Sequence, residues 1–399
     1  MSAADAAGTV VLPWSSPRHL VARDTELARL GQLVARAREG VSGALVLCGA
    51  AGIGKTALVD ATVQSAEGFE VLRARGVEGE SNLPYAALSQ LLLRVIARRD
   101  ELSPQQQAAL EGALALGPPG DHDQVAIAGA VLALLALVAE DRPLLVAVDD
   151  LHWVDEASRA ALRIAARRLA SEGIALLMAT RPDVEPPTGI EQLDLSALPE
   201  DAARELLAHT GRLPRDAEQR VLETAEGNPL ALLEIPRLLR EGRPKPGPLP
   251  TGATLEAALM VPVEQLPAPT RTALLVAAVD EQAPRAVLDV ALAHAGVDAS
   301  ALIAAEQSGL IVRADDGVTF RHPLLRSAVY HAAGGPARRS AHAALAAAWP
   351  RGSARWTWHA AGAALGPDEA VADALDALAD SAHDRGAHDA AARAWMRAA

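Results

Sequence analysis

The stretch Gly49-Ala50-Ala51-Gly52-Ile53-Gly54-Lys55-Thr56 constrains this chain more than any other. Two glycines with four residues between them, followed by Lys and Thr, form a phosphate-binding pattern that joins a strand to a helix. The flanks agree with it. Ala44 to Cys48 is a short apolar run suited to a buried parallel strand, and Thr56-Ala57-Leu58-Val59-Asp60 opens a helical pattern. Glycines let the backbone curl so that successive N–H groups face phosphate oxygens, and the helix start adds about half a positive charge. Gly49, Ala50, Ala51, Gly52, Ile53 and Gly54 are therefore the expected cradle. Lys55 is expected to reach the β- and γ-phosphates, and Thr56 to place its hydroxyl on magnesium. A glycine-rich turn that binds nothing competes with this reading, but it does not explain why strand, loop and helix come in the right order.

A phosphate loop needs a second acid for its metal and water. Leu144-Leu145-Val146-Ala147-Val148-Asp149-Asp150 supplies one at the end of an apolar strand. Asp149 is expected to hold Mg²⁺ through water, and Asp150 to orient or deprotonate the attacking water. Asp also suits an ordinary turn after a strand. The phosphate loop upstream tips the reading toward chemistry. A further apolar run, Ile174 to Ala179, ends at Thr180-Arg181-Pro182. Arg181 thus stands at a strand's C-terminal edge, where ligands collect in open α/β sheets, and is a candidate γ-phosphate sensor; a surface arginine before a proline is the plain alternative.

At 399 residues the chain is too long for one ordinary core. Half of it is hydrophobic but only 3% aromatic, a composition that suits helices packed through small side chains. The net charge of −13 disfavours nucleic acid as a partner of the whole chain, and the short Arg-rich pieces at Arg94–Arg99 and Arg338-Arg339 read as solvated faces. The longest apolar run, Val125 to Val138, is shorter than a membrane span, and Met1 to Val10 lacks the features of a secretory signal, so no membrane partner is expected. A single cysteine, Cys48, has no internal partner and fits a reducing, cytoplasmic compartment.

In order, residues 1–19 read as a mobile tail. Residues 20–198 read as the phosphate-loop core, beginning with a helix to about Arg38 and including a second strand over Phe69–Gly76, helices over Pro84–Glu140 interrupted by a loop at Gly117-Pro118-Pro119-Gly120-Asp121, a helix over Glu156–Ala170, and a short strand at Gln192–Leu195. Residues 199–240 read as a helical lid whose elbow, Gly227-Asn228-Pro229-Leu230, ends one helix and begins the next. Residues 241–251 are a Pro-rich linker. Residues 252–350 contain helices at Thr270–Val279, Pro284–Ala295 and Ser300–Ser308, then two strands around Ala314-Asp315-Asp316-Gly317. Three helices and a hairpin describe a winged helix. Its third helix carries Glu306 and no Lys or Arg, so it is expected to be structural rather than DNA-reading. Residues 351–399 are helical, with Ala382, Gly386, Ala390, Ala391 and Trp395 spaced like one tetratricopeptide-type hairpin. A stable stack takes about three such units, so the sequence is expected to be a fragment or a short relative of something longer. The fold class is thus a P-loop α/β domain, a parallel sheet with helices on both faces, followed by an all-α lid, a winged-helix module and the start of helical repeats.

These pieces together resemble the signal-transduction ATPases with numerous domains, and within them the large LuxR-type regulators related to the maltotriose-responsive activator. The likeness covers Leu20 to about Ala348. It is carried by the phosphate loop, Val148-Asp149-Asp150-Leu151-His152-Trp153-Val154-Asp155, Ala179-Thr180-Arg181-Pro182, Gly227-Asn228-Pro229-Leu230 and Phe320-Arg321-His322-Pro323-Leu324-Leu325. The resemblance implies ATP/ADP binding with Mg²⁺, a slow hydrolytic switch, an effector or inhibitory protein sensed through the repeats, and a homo-oligomer in the ATP state. It implies an adenine-side contact for Arg23, a place for Pro229 near adenine and ribose, and a contact from His322 to the β-phosphate of ADP. In two respects the chain departs from the family. Ala22 stands where the entry segment usually has glycine, and no C-terminal helix-turn-helix is present in these residues, so DNA is expected only through a domain absent here. A metabolic phosphotransferase using the same loop on a small molecule is the competing function.

Overall fold

The computed structural model describes residues 20–118, 123–184, 189–240, 254–314, 317–321 and 323–399. The linker prolines and His322 lie outside them. At the centre is a five-stranded parallel sheet made of β1 (Gly43–Gly49), β2 (Glu70–Arg75), β3 (Leu144–Asp149), β4 (Ile174–Thr180) and β5 (Glu191–Leu195), in the order β2-β3-β4-β1-β5. Every residue of β3 and β4 is buried, which is why these strands read as unbroken apolar runs. Alternation is still present beneath that run. Leu145, Ala147, Leu177 and Ala179 face a core shared with α1 (Asp24–Arg38) and α2 (Lys55–Ser65), through Leu30, Leu33, Leu58 and Val59. Leu144, Val146, Val148, Leu176 and Met178 face the opposite core, with α3 (Ala86–Leu92), α4 (Pro104–Ala113), α5 (Gln124–Asp141) and α6 (Glu156–Ala166).

Two sequence expectations change in this layer. The helical text from Pro84 is broken by a 3-10 turn at Ile96–Glu101, where Arg98 turns back to donate to the Leu137 carbonyl (2.8 Å) and to Asp141 (2.9 Å). And α5 runs for 18 residues with a mean hydropathy of 1.8, long and apolar enough to cross a membrane by length and composition. The apolar run Val125 to Val138 is shorter than this helix, which continues to Asp141. Ile127, Ala128, Ala130, Val131, Leu134, Leu135 and Val138 of this helix are buried in the α/β core.

Beyond β5 come α7 (Glu200–Ala208), α8 (Arg215–Ala225) and α9 (Pro229–Arg240), held by a small core of their own through Leu206, Leu207, Val221, Leu232 and Ile235. The turn before α9 needs glycine. Gly227 has φ +72°, and a Cβ there would lie 2.3 Å from the Leu198 carbonyl.

The next layer holds α10 (Thr254–Glu264), α11 (Ala268–Val279), α12 (Arg285–His294), α13 (Leu302–Gln307), the antiparallel pair β6 (Ile311–Ala314) and β7 (Gly317–Phe320), α14 (Pro323–Ala332) and α15 (Gly335–Ala348). The hairpin and the three helices before it fall where the sequence put them. α10 was hidden, because Pro262 lies inside it and Pro-rich text precedes it. On α13, Glu306 is paired with Arg313 of β6 at 2.8 Å.

Finally α16 (Ala354–Ala363), α17 (Glu369–Asp384) and α18 (His388–Ala398) return to the α/β core. Ala382, Ala390, Ala391 and Ala394 join the same apolar cluster as α5 and α6, and the Tyr85 hydroxyl donates to the Arg385 carbonyl (3.0 Å). The helical pair read as the start of helical repeats thus shares a core with the phosphate-loop domain. A polar seam joins that domain to the α10–α15 layer: Glu78, after β2, meets Arg326 of α14 (3.1 Å), and Glu80 meets Arg355, which also donates to Asp280 (2.7 Å).

Candidate phosphate-binding site

The phosphate loop lies between the C-terminal end of β1 and α2. Gly52 and Gly54 both take positive φ, +76° and +106°, and Gly54 is the residue preceding α2. Ile53 N donates to the Ala50 carbonyl (3.3 Å), whereas the amides of Gly52, Gly54, Lys55 and Thr56 have no acceptor among the described residues. A set of converging, unspent N–H donors at a helix N-terminus is what a phosphate group requires.

Lys55, only 7% exposed, donates to the carbonyls of Gly49 (2.7 Å) and Ala50 (2.9 Å). Burial lowers its pKa, against which the charges of Asp150 and Asp149 work, while Arg181 adds a further lowering. Arg181 is therefore close to Lys55, at the end of β4 as the sequence placed it. Thr56 Oγ1 donates to Asp149 Oδ2 at 2.8 Å, bringing together the two residues expected at magnesium. Burial, with the neighbouring Asp150, pushes the Asp149 carboxyl above its ordinary range. A divalent cation would relieve that repulsion, so the donor set fits one: a hydroxyl and a carboxylate, both oxygen ligands.

Asp150 occupies the left-handed region, φ +49°, and is buried. Its carboxylate accepts from Arg75 Nε (3.1 Å) at the C-terminal end of β2. The approach is so close that a Cβ on Gly76 would lie 2.2 Å from the Asp150 carbonyl oxygen. Arg75 also lies in the field of Glu281, from the loop after α11. Sequence reading missed Arg75, and only the pairing of β2 with β3, which aligns Arg75 with Asp149, brings it here.

Two more polar groups were missed. Among the described residues neither ring nitrogen of His152, whose side chain is 5% exposed, has a hydrogen-bond partner, nor does Thr180 Oγ1 at the end of β4. Burial, together with the Arg181 and Lys55 charges, lowers the His152 pKa to about 4, so the ring is neutral at neutral pH. Unused hydrogen-bonding capacity buried beside Lys55 and Arg181 is a further reason to place a polar ligand here. Their signal in sequence was position alone, immediately after the acids of β3 and at the tip of β4.

Of the same segment, Asp155 does something else. Its carboxylate accepts from Tyr85 N (2.9 Å), Ala87 N (3.1 Å) and Ser158 N (2.8 Å), capping α6 and the start of α3 together.

The remaining expected residues come from the rim. Arg23 is 4% exposed and donates to the carbonyls of Ile53 (3.2 Å) and Ser196 (2.8 Å), so it is a buried tie between the loop and the segment after β5. Ala22 before it has φ +50°, a conformation glycine adopts more easily. Pro229 starts α9, and the elbow lies directly on the phosphate loop: Asn228 Nδ2 donates to the Ala51 carbonyl (2.9 Å) and Leu230 N to that of Gly52 (3.2 Å). A Cβ on Gly52 would lie 2.8 Å from Asn228 Oδ1, so this close seating requires glycine.

Residues 19–178 match a family model described as an AAA ATPase domain. No curated protein matches the chain. Among solved structures it is similar to a Signal Transduction ATPase with Numerous Domains from Pyrococcus horikoshii that carries a tetratricopeptide repeat sensor, at 15% identity and a TM-score of 0.56. That match covers 92% of this chain and 57% of that protein, so the chain spans little more than half its length. A Walker-type ATPase of Pyrococcus abyssi is 16% identical, with 80% of this chain and 98% of that one covered at a TM-score of 0.39.

Proposed function

We propose that the chain is an ATP-binding conformational switch, closed with ADP and opened with ATP, in which slow hydrolysis resets the state. The phosphate loop supplies free amides and Lys55 for the phosphates, while Thr56 and Asp149 would hold Mg²⁺, whose charge supports an in-line attack by water. Asp150 orients or deprotonates that water. Arg181, His152 and Thr180 are placed to meet the terminal phosphate, and Arg23 and Pro229 to border the nucleoside.

The observation that carries the switch reading is the pairing of Asp150 with Arg75, itself in the field of Glu281. The acid needed for turnover is tied to a residue that faces another layer of the molecule. Movement of the α10–α15 layer would then change how Arg75 holds Asp150, which links conformation to hydrolysis. The lid adds a second link, since Asn228 and Leu230 bond the loop backbone that any phosphate must touch.

In this reading α10–α15 is a winged-helix module that packs rather than reads DNA, α17 and α18 begin a tetratricopeptide-like region that meets an effector or an inhibitory protein, and the ATP state oligomerises. The whole then serves in the cytoplasm as the core of a LuxR-type transcriptional regulator. His322 is proposed to contact the β-phosphate of ADP.

Steady-state ATP turnover, measured with water alone and with a panel of small-molecule hydroxyl and amine acceptors, tests the proposal. Slow turnover indifferent to acceptor, lost in Asp150→Asn while nucleotide still binds, supports the switch. Fast transfer to one acceptor would establish a phosphotransferase instead.

A further inference from the structure

The chain that leaves β2 makes contacts in two directions. Its first residues lie on the turn that holds Asp150. Gly76 N donates to the Asp149 carbonyl (2.9 Å), and a Cβ on Gly76 would meet the Asp150 carbonyl oxygen, Val154 N and the Trp153 carbonyl carbon at 2.2, 2.7 and 2.8 Å, so the two backbones lie flat against each other. Arg75, one residue earlier, adds its bond to the Asp150 carboxylate. Asp150 itself stands at φ +49°, and a residue other than glycine stays in that region only where its surroundings impose it. Residues 75 and 76 are surroundings of that kind.

A few residues on, the same chain is gripped from the other side. Glu78 accepts from Arg326 of α14 (3.1 Å) and lies 3.5 Å from His331, while the buried Glu80 pairs with Arg355 of α16. Between them Gly79 lies against the end of α11, where an added Cβ would be 3.0 Å from the Val279 carbonyl oxygen. Arg393 of α18 donates to the Ser81 carbonyl at 3.4 Å. The piece between the two grips is stiff. Glu78–Glu80 is a 3-10 turn, in which Glu80 N donates to the Val77 carbonyl (2.9 Å), the Ser81 hydroxyl to that of Glu78 (2.8 Å) and Leu83 N to that of Glu80 (2.8 Å). A slack loop would absorb a displacement of α14 or α16, whereas a bonded turn passes it along.

Neither acid is the sole partner of its arginine. Arg326 also lies 3.6 Å from Glu281, and Arg355 donates to Asp280 (2.7 Å). Each glutamate can therefore be neutralised without leaving a buried cation bare. What Glu78 and Glu80 add is attachment: both belong to the phosphate-loop domain, and both arginines belong to helices that follow it.

We propose that Glu78 and Glu80 are positioning residues for hydrolysis: they fasten residues 76–82 to α14 and α16, and the fastened turn holds Asp150 where it meets the attacking water. This rests on the switch reading above and gives it a mechanical path, a backbone contact at Gly76 that works beside the Arg75 ion pair. When α14 and α16 separate from the turn it loosens and Asp150 loses its place, while the phosphate loop, built on β1 and α2, keeps its own. The rate of the chemical step then depends on this docking, and nucleotide affinity does not.

Hydrogen exchange of the nucleotide-free chain and single-turnover ATP hydrolysis test it on the same proteins: Glu78→Gln, Glu80→Gln and the double substitution. In the double variant, exchange should be faster by about tenfold or more in the peptides that hold Gly76 and Trp153-Val154, with β1 and β4 unchanged. Hydrolysis should be slower by about tenfold or more, with Mg²⁺–ATP affinity by calorimetry within about twofold of the parent. Glu80→Asp, which keeps the charge on a shorter arm, should lie between the parent and Glu80→Gln. Gly79→Ala keeps both acids and pushes on the Val279 carbonyl instead, and should slow hydrolysis with affinity kept. Unchanged exchange in the double variant, or a loss of affinity in proportion to the loss of rate, overturns the proposal. A parent that binds Mg²⁺–ATP without hydrolysing it would be the failure of the switch reading, whereas a parent that hydrolyses and variants that match its rate would be the failure of this one.

Discussion

Lys55→Met separates two roles that the structure gives one side chain. In the described conformation its ammonium bonds the Gly49 and Ala50 carbonyls and faces Asp149 and Asp150. Replacing it by a chain of similar length leaves two carbonyls without a donor and takes one of two nearby cations from the acids, Arg75 remaining on Asp150, which should destabilise the empty protein by about 1–3 kcal/mol. The same change removes a charge-assisted bond to phosphate worth about 1.5–3 kcal/mol, or roughly ten- to hundredfold in affinity. The consequences diverge when nucleotide is added. At a ligand concentration about one hundred times the parent's Kd, binding stabilises the parent by about 2.7 kcal/mol, whereas a variant weakened about thirtyfold keeps only about 0.9 kcal/mol. Chemical unfolding with and without Mg²⁺ and a non-hydrolysable ATP analogue measures both quantities on each protein. The reasoning is refuted if parent and Lys55→Met gain the same stability from the analogue, since Lys55 would then hold the loop without touching the phosphates.

Asp155→Ala, which deprives three buried amides of their acceptor, should cost about 2–4 kcal/mol in unfolding experiments while nucleotide affinity in the surviving folded fraction stays near that of the parent; a drop in affinity with unchanged stability would place Asp155 in the site instead. Asn228→Ala removes the side-chain bond to the Ala51 carbonyl and the acceptor for Leu230 N and Ala231 N. Stopped-flow release of a fluorescent ADP should accelerate several-fold, about 1 kcal/mol of lid contact, and an unchanged rate would mean the elbow does not gate the loop. His342, facing His359 of α16, Tyr330 of α14, Asp280, Arg397 of α18 and Arg338 on its own helix, is held neutral by burial, with its pKa at about 4. Between pH 6.5 and about 4 the unfolded chain takes up a proton there that the folded chain refuses, so this group's effect on stability is lost as pH falls through that window, by up to about 3 kcal/mol. His342→Gln should flatten the acid limb of a stability–pH curve, and an identical slope in parent and variant would remove His342 as its cause.

Much of the phosphate site was legible because its parts are local. The loop, its strand and its helix are contiguous, and chain geometry alone delivers Lys55 to the Gly49 carbonyl six residues away. The apolar run ending in Asp149 was equally plain, since a strand buried on both faces shows itself by composition. The hairpin after α13 announced itself through Asp-Gly. α10 did not, because a proline inside a helix is tolerated only where neighbouring packing compensates, and a linear pattern contains no neighbours.

Sequence by itself therefore determined the phosphate-loop pattern, the acids that end β3, the parallel α/β class and the sites of the main turns. Only tertiary structure decided what those residues answer to. Arg75 meets Asp150 across 75 positions, Arg23 the Ser196 carbonyl across 173, and Asn228 the Ala51 carbonyl across 177. It also decided that the Tyr85 hydroxyl would bond the Arg385 carbonyl and that α17 and α18 would pack on the core of the phosphate-loop domain. The physical reason is one of range. Periodicity and turn chemistry are properties of a few consecutive residues, whereas strand order and helix docking are chosen by the burial of whole faces, and that choice alone brings distant polar groups within bonding distance.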